Sequence, residues 1–452
     1  MTLLNELPAE VCQRARMSRD PRFDGRFFVA VKTTGIFCRP ICPANLPKEE
    51  NVEYFSSQAL AVSAGYRPCL RCRPESAPHS WAWKGAETTF LRALTLIEQG
   101  ELDGSLETLA SRLGISDRYL RQLFQRHLGM PPKQYAQIQQ LMFAKQLLHT
   151  SQISITEVAY ASGFQSTRRF NDAFQKLFRL TPTQVRRERA ALPSRNHLSL
   201  AFRGPFDWAH MLDFYRLRAI EGMELIDEQS YQRHFVLGEG TGWFKASMAQ
   251  SHLDIEFEME RLSDLRHLVA RLRRMFDLDA DLISIEAHLE QLAPGLVRRT
   301  GIRIPGVWNA WEAGVRAVLG QQVSVKAAIG QLNLLVSTLA ASEGSTRYFP
   351  TPEQVQMSDL SFLRMPERRK ETLKRLADYV RLHPMDSPMA WLSLSGIGPW
   401  TVDYAQLRGE SRSHCFLTGD LIVKKALAKF PQLTAESVAP WGSYATFHCW
   451  SH

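Results

Sequence analysis

Two close cysteine pairs constrain this chain more than any other feature. Cys38-Arg-Pro-Ile-Cys42 and Cys69-Leu-Arg-Cys72 are separated by 26 residues. Two such pairs joined by a moderate loop can bring four sulfurs to one tetrahedral ion, and Zn²⁺ is the usual occupant. Zinc keeps its sulfur ligands deprotonated at neutral pH, and four thiolates on a divalent ion leave the cluster net negative. The spacing alone leaves two uses open: a structural knuckle that staples a small domain, or a site in which one thiolate is a nucleophile. Seven cysteines in 452 residues do not make a disulfide framework, so Cys12, Cys415 and Cys449 read as free thiols of a reducing compartment.

Length and charge set the wider frame. A chain of this length holds three or four domains with separate cores, and 44% apolar residues is ordinary for a soluble globular protein. The net charge of +9 is unevenly placed: residues 1–194 carry 26 Lys and Arg against 17 Asp and Glu, and the remainder carries 29 against 29. The basic excess lies wholly in the N-terminal part. That is what a polyanion partner requires, since Lys and Arg displace counterions from phosphates, although a merely solvated face gives the same count. No basic start runs into an apolar stretch and no segment approaches membrane-spanning length, so neither an export signal nor a membrane span is expected.

Beyond Arg73–Ser80, whose Pro and Ser read as a linker, the hydrophobic period becomes helical. Phe90, Leu91, Leu94 and Ile97 recur at three- and four-residue intervals, and Gly100 closes that helix. A pattern then occurs twice. Leu106-Glu-Thr-Leu-Ala110-Ser-Arg-Leu-Gly114 has its partner in Ile155-Thr-Glu-Val-Ala159-Tyr-Ala-Ser-Gly163. Ala110/Ala159 and Gly114/Gly163 are offset by 49, and Phe124/Phe174 and Pro132/Pro182 by 50. A small residue lets two helices pack closely and Gly in the turn supplies positive φ, which is helix-turn-helix logic. Mere packing hairpins would share that spacing. The side chains just beyond each turn argue for recognition: Arg118, Arg121 and Gln122 after the first, Arg168, Arg169 and Asn171 after the second. These types read base edges and phosphates from the start of a helix.

Past a second linker at Ala190–Asn196, alternation at His197–Phe202 and Leu253–Glu260 predicts half-buried antiparallel strands, and Arg261–Phe276 has helical spacing. This lobe shows no catalytic constellation of its own. Residues 286–452 are helical and broken by Gly and Pro, with a polar loop expected near Ala341–Arg347. Three stretches matter there: Trp311–Ser324 with Gly320-Gln321-Gln322, Leu394–Tyr404 with Gly396-Ile397-Gly398, and Leu417–Lys424 with Asp420. Two glycines around one apolar residue allow a tight hairpin whose backbone N–H groups can grip a phosphate. A lone Gly-Ile-Gly is weak evidence, and Asp420 reads equally well as an N-cap.

The stretches Asp24-Gly-Arg-Phe-Phe-Val-Ala-Val-Lys32, Ile36-Phe-Cys38-Arg-Pro40 and Gly65-Tyr-Arg-Pro-Cys69 resemble the methylphosphotriester-accepting domain of the bacterial Ada proteins over about the first 75 residues. That resemblance implies that Cys38, Cys42, Cys69 and Cys72 hold Zn²⁺ and that Cys38 takes a methyl group irreversibly from a DNA phosphate. Gly163–Phe170 and Phe178–Pro182 resemble the AraC-type DNA-binding domain, which follows the zinc domain in Ada. From about residue 197 to the end the chain resembles the helix-hairpin-helix DNA glycosylases, and most closely 3-methyladenine DNA glycosylase II (AlkA). Phe206–Phe214, Arg274–Leu278 and Pro440–Trp450 carry that resemblance beside the three stretches above. It implies that Asp420 is the catalytic carboxylate and that Trp400, Tyr404 and Trp450 line the base pocket. Gly396, Ile397, Gly398 and Thr401 would meet the DNA backbone, and Gln322 would stand at the position of the apolar wedge that fills the gap left by a flipped base.

The implied fold is multidomain α+β. A small zinc-bound α/β domain spans 1–76, an all-α double helix-turn-helix domain 85–190, an α+β lobe 196–285 and an all-α helix-hairpin-helix domain 286–452. Trp400 stands where relatives with lyase activity carry lysine, so a monofunctional glycosylase without strand cleavage is expected. No four-cysteine cluster follows Asp420, which argues against an iron–sulfur site. No Pro-Cys-His-Arg run occurs, so the methylguanine methyltransferase half of Ada is replaced. The reading is a fusion of an alkylation sensor and activator with an alkylated-base glycosylase. Its partners would be double-stranded DNA, alkylated and operator, and RNA polymerase; its place would be the cytoplasm, at the nucleoid. The rivals are a regulator whose degenerate glycosylase lobe only binds DNA, and a repair enzyme whose helix-turn-helix units merely load it.

Overall fold

The computed structural model describes residues 7–451 except 21–22, 70, 73, 75–80, 99, 101, 103–104, 188–195, 340–341, 344–345 and 385. Both expected linkers lie largely outside the described residues. The chain separates into two compact units, 1–139 and 140–452.

In the first unit four strands form a sheet in the order Val52–Phe55, Phe28–Val31, Ile36–Cys38, Arg67–Pro68. The first three pair antiparallel and the last joins parallel. Phe28, Val29 and Ala30 are buried in succession, without alternation. The cause is cover on both faces. Val29 packs with Cys12 and Ala15 of the helix Ala9–Met17, while Phe28 and Ala30 pack with Phe37 and with Ala61 of the helix Gln58–Ser63. Further on, the helices Leu106–Arg112 and Asp117–Leu128 start on Ser105 and Ser116, whose hydroxyls accept from Thr108 and Tyr119 N–H groups. Ala110 is buried between them and Gly114 turns the chain at φ +68°.

The second unit opens with the other copy of this hairpin. Ile155–Ala161 begins in a capping box of Ser154 and Glu157, and Thr167–Phe178 begins on Ser166. Ala159 is fully buried and Gly163 sits at φ +84°. A five-stranded antiparallel sheet comes next, in the order His197–Ala201, His252–Met259, Gly240–Met248, Ser230–Leu237, Glu224–Ile226. One face packs on the helices Trp208–Arg216 and Leu265–Met275 through Tyr231, Phe244, Met211 and Leu268.

The remainder is helical. Ala310–Gly320 and Pro399–Glu410 cross at close range, because a Cβ on Gly409 would stand 2.5 Å from the Ala310 Cα. Where a polar loop is expected, Ser342–Glu343 and Thr346–Arg347 pair as a short ladder, anchored by the Arg347 N–H on the Gly222 carbonyl at 3.1 Å. A buried ion network joins the sheet to this helical part. Arg233 meets Glu312 at 2.5 Å and Glu224 at 3.0 Å, and Arg316 meets the same two at 2.8 and 3.2 Å. Among the described residues no helix is long and apolar enough to cross a membrane.

Candidate functional site

Sheet register delivers the cysteines. Cys38 ends its strand opposite Val29, and the parallel strand Arg67–Pro68 leads into Cys69, whose N–H donates to the Phe37 carbonyl at 3.0 Å. A turn closed by the Cys42 N–H on the Arg39 carbonyl (3.1 Å) brings Cys42 back. All four sulfurs lie within 4.8 Å of one another. Zn–S bonds of about 2.3 Å in a tetrahedron require sulfurs about 3.8 Å apart, so the donor set fits zinc. The Arg39 N–H donates to the Cys72 sulfur at 3.3 Å, and the Arg39 guanidinium is held by Asp24 and by the Cys72 carbonyl. Cys42 and Cys72 are buried, whereas Cys38 and Cys69 are partly exposed. Of the four, Cys38 and Cys69 are therefore the residues open to an outside group.

The six donors of the helix-turn-helix units, Arg118, Arg121, Gln122, Arg168, Arg169 and Asn171, are all exposed near the starts of Asp117–Leu128 and Thr167–Phe178. Arg121 also pairs with Asp117 at 3.1 Å, an exposed contact of little strength.

In the second unit a cavity of about 420 Å³ gathers residues from far apart in the chain. Trp400 and Tyr404 stand on Pro399–Glu410 with ring centroids 5.4 Å apart and planes 29° from parallel. Trp450, on the last helix, stacks with Phe214 of the lobe at 6.2 Å and 15°. Asp420 caps Leu421–Leu427, and its Oδ1 accepts from the Ile422 N–H (2.9 Å), the Val423 N–H (3.2 Å) and the Trp450 indole N–H (3.1 Å). Among the described residues nothing donates to its Oδ2. Cap and carboxylate site are therefore compatible: one oxygen fixes the group and the other is left for a ligand.

The lobe contributes a wall that sequence reasoning did not assign. Phe214, His210 and Arg218 line the cavity, with the Arg218 guanidinium 3.7 Å from the centre of the Phe214 ring. Burial lowers the Arg218 pKa to about 10 and lowers that of His210 as well. Helical spacing from Trp208 onward places 211, 214, 215 and 218 on one side, which was the available signal.

The hairpin residues divide by role. Gly396 sits at φ +94°, and a Cβ there would meet the Thr372 Oγ1 at 2.1 Å. Gly398 has open space around it, and its N–H has no acceptor among the described residues, at the start of a twelve-residue helix. Ile397 is buried and its N–H is spent on the Leu394 carbonyl, so its side chain anchors the turn. Thr401 is buried too, and its hydroxyl accepts from the Gln321 side chain. Gln322 is exposed at φ +57°.

Residues 11–75 match the metal binding domain of Ada, 109–188 a helix-turn-helix domain and 197–309 the AlkA N-terminal domain. A probable bifunctional transcriptional activator/DNA repair enzyme AlkA of Mycobacterium tuberculosis is 34% identical over 98% of this chain and 96% of its own length. DNA-3-methyladenine glycosylase 2 of Escherichia coli is 33% identical over 56% of this chain and 96% of its own. Among solved structures, the methylated N-ADA/DNA complex is 36% identical, covering 29% of this chain and 98% of that one, with a TM-score of 0.26. The chain thus belongs to the family of bifunctional transcriptional activators and DNA repair enzymes in which an Ada-type metal-binding and helix-turn-helix half is joined to an AlkA-type half.

Proposed function

We propose that this chain repairs methylphosphotriesters on Cys38, activates transcription once methylated, and excises alkylated bases such as 3-methyladenine without cutting the strand. The observation that carries the glycosylase reading is Asp420, fixed through one oxygen by three N–H donors beside the rings of Trp400, Tyr404 and Trp450. An N-alkylated purine is cationic, and electron-rich rings hold it by stacking and cation–π attraction. The glycosidic bond breaks with its electron pair going to the base nitrogen, which neutralises the base and leaves a sugar cation. The free oxygen of Asp420 stabilises that cation, orients the water that adds to it and takes up the proton that this water gives up. The base reaches the pocket only after leaving the duplex, with Gln322 entering the gap.

At the cysteine cluster, Cys38, Cys42, Cys69 and Cys72 would hold zinc, which when bound would keep their sulfurs deprotonated. The Cys38 sulfur attacks the methyl carbon; the S–C bond forms, the C–O bond breaks, and the electron pair leaves on the phosphate oxygen as a diester anion. Family position selects Cys38 over Cys69, and its partial exposure is consistent with attack on an outside phosphate. The exposed arginines of the two helix-turn-helix units would then hold operator DNA, with RNA polymerase as the partner of the activator. The pocket's intact carboxylate and rings favour this reading over a lobe that only binds DNA.

The test combines two assays on the full chain. Asp420→Asn should lower release of methylated purines by about a hundred- to a thousandfold while folding and DNA binding persist. Labelled methyl from methylphosphotriester DNA should appear on Cys38 in the same variant. Release at the parent rate would remove Asp420 from the mechanism, and label on another cysteine would remove Cys38.

A further inference from the structure

The helix Ala310–Gly320 ends at Gln321, which leaves the helix with extended ψ (121°), and the next residue, Gln322, stands at φ +57°. A side chain larger than glycine rarely adopts that conformation, and it persists only where the surroundings over-determine it. The surroundings here are sparse, because residues 322 to 327 are all exposed. What holds the turn is the Gln321 side chain. Its Nε2 donates to the Gly396 carbonyl and to the Thr401 hydroxyl, each at 3.1 Å. Both acceptors belong to the hairpin, 75 and 80 residues further along the chain. Neither acceptor is loose: Gly396 lies against Thr372, and Thr401 is 2% exposed. An amide has two N–H donors, and this one spends both on the same turn.

We propose that Gln321 is a positioning residue that ties the turn bearing Gln322 to the phosphate-gripping hairpin, so that the two engage DNA as one rigid piece. The inference rests on the glycosylase reading. A hairpin seated on a phosphate fixes where the vacated stack lies, and Gln322 reaches that gap only if its turn is held in register with the hairpin. Direct contact with the lesion is not part of the role. Loss of the tie leaves pocket and carboxylate intact and misplaces the inserted side chain, an error of the kind that erodes rate without touching the chemistry.

Gln321→Ala removes the tie. Gln321→Glu keeps the volume but sets a carboxylate against the Gly396 carbonyl. Thr401→Val removes one acceptor from the other side. All three should melt at the parent temperature. On a duplex carrying an alkylated base the two Gln321 variants should lose roughly tenfold in kcat/KM, and Thr401→Val, which keeps the Gly396 acceptor, a smaller part of that. Excision from the same lesion in a single strand should be unchanged, because no gap has to be filled. Gln321→Ala and Gln322→Ala together should lose little more than either alone. Equal losses on duplex and single strand, additive losses, or parent activity in the Glu variant would overturn the proposal. Should one variant fold poorly, the other two decide. A parent chain that releases no alkylated base would instead overturn the glycosylase reading. The tie is then read from affinity for a duplex holding a tetrahydrofuran abasic analogue, where Gln321→Ala must still bind more weakly.

Discussion

Glu312 is 1% exposed and divides its carboxylate between Arg233 and Arg316 at 2.5 and 2.8 Å. Burial raises its pKa, but the two guanidiniums outweigh burial and hold it at about 2. Unfolding returns it to an ordinary value of 4.5. The folded pKa is the lower one, so the stabilisation is complete above about pH 4.5 and is lost as pH falls through about 2. Glu312→Gln leaves two buried guanidiniums with Glu224 alone, a change of the class that removes about 3–5 kcal/mol. Urea titrations between about pH 2 and 7 check both statements. The variant should be weaker at neutral pH and should lose less than the parent on acidification below about pH 4.5. An unchanged acid profile would mean that a different carboxylate governs it. The same pairing explains why a helix carrying charge in its middle, Glu312 and Arg316, is nonetheless almost wholly buried.

At the scale of elements, the hairpin shows what two glycines flanking a single residue can separately require. Gly396 is demanded by the protein, through its φ of +94° and the Thr372 hydroxyl. Gly398 is not, since a Cβ there meets nothing within 4 Å. Its lack of a side chain is useful only to something that approaches from outside, as a phosphate oxygen does. Gly396→Ala should therefore destabilise the fold by more than the ~1 kcal/mol that the left-handed backbone alone exacts, and lower Tm accordingly. Gly398→Ala should melt like the parent yet bind lesion duplex roughly tenfold more weakly, the loss of one charge-assisted hydrogen bond. Equal melting and equal binding in both variants would separate the hairpin from DNA altogether. Periodicity made much of this legible. The 49-residue offset foretold both helix-turn-helix units down to the positive φ of Gly114 and Gly163, and the alternation at His197–Phe202 foretold a half-buried antiparallel strand. Helical spacing put Phe214 and Arg218 on one side of their segment, but not what that side would face, because its partners Tyr404 and Trp450 lie roughly 200 residues away. The bonds of Gln321 escaped for the same reason: a glutamine at a helix end carries no sign of the carbonyl it will find.

For the whole molecule the uneven charge has consequences for how each half meets DNA. Residues 1–194 carry a basic excess of nine, 26 cations against 17 anions, and residues 195–452 are balanced at 29 against 29. Affinity gained from phosphate neutralisation falls with salt at a slope of about −0.9 per phosphate. Sequence-specific binding through the N-terminal part should therefore be steeply salt-dependent, and lesion binding through the pocket and hairpin much less so. On the proposed function, methylation of Cys38 should act on the first kind of binding alone. It would convert one of the four zinc-binding thiolates to a thioether and make the cluster less negative by one unit, which would lessen its repulsion of phosphates. A unit charge at contact distance is worth about 4 kcal/mol at surface-like dielectric before screening, and about 1.4 kcal/mol already changes affinity tenfold. Duplexes selected from random sequence for tight binding should thus be held at least about tenfold more tightly after transfer at low salt. The gain should shrink toward nothing near 1 M, where screening acts within about 3 Å. Affinity for a lesion duplex should not move. Cys42→Ala, which breaks the donor set, should abolish the methylation effect together with metal content. Unchanged affinity after mass spectrometry has placed the methyl on Cys38 would sink the charge mechanism, and a gain that survives high salt would point to a rearrangement of contacts in its place.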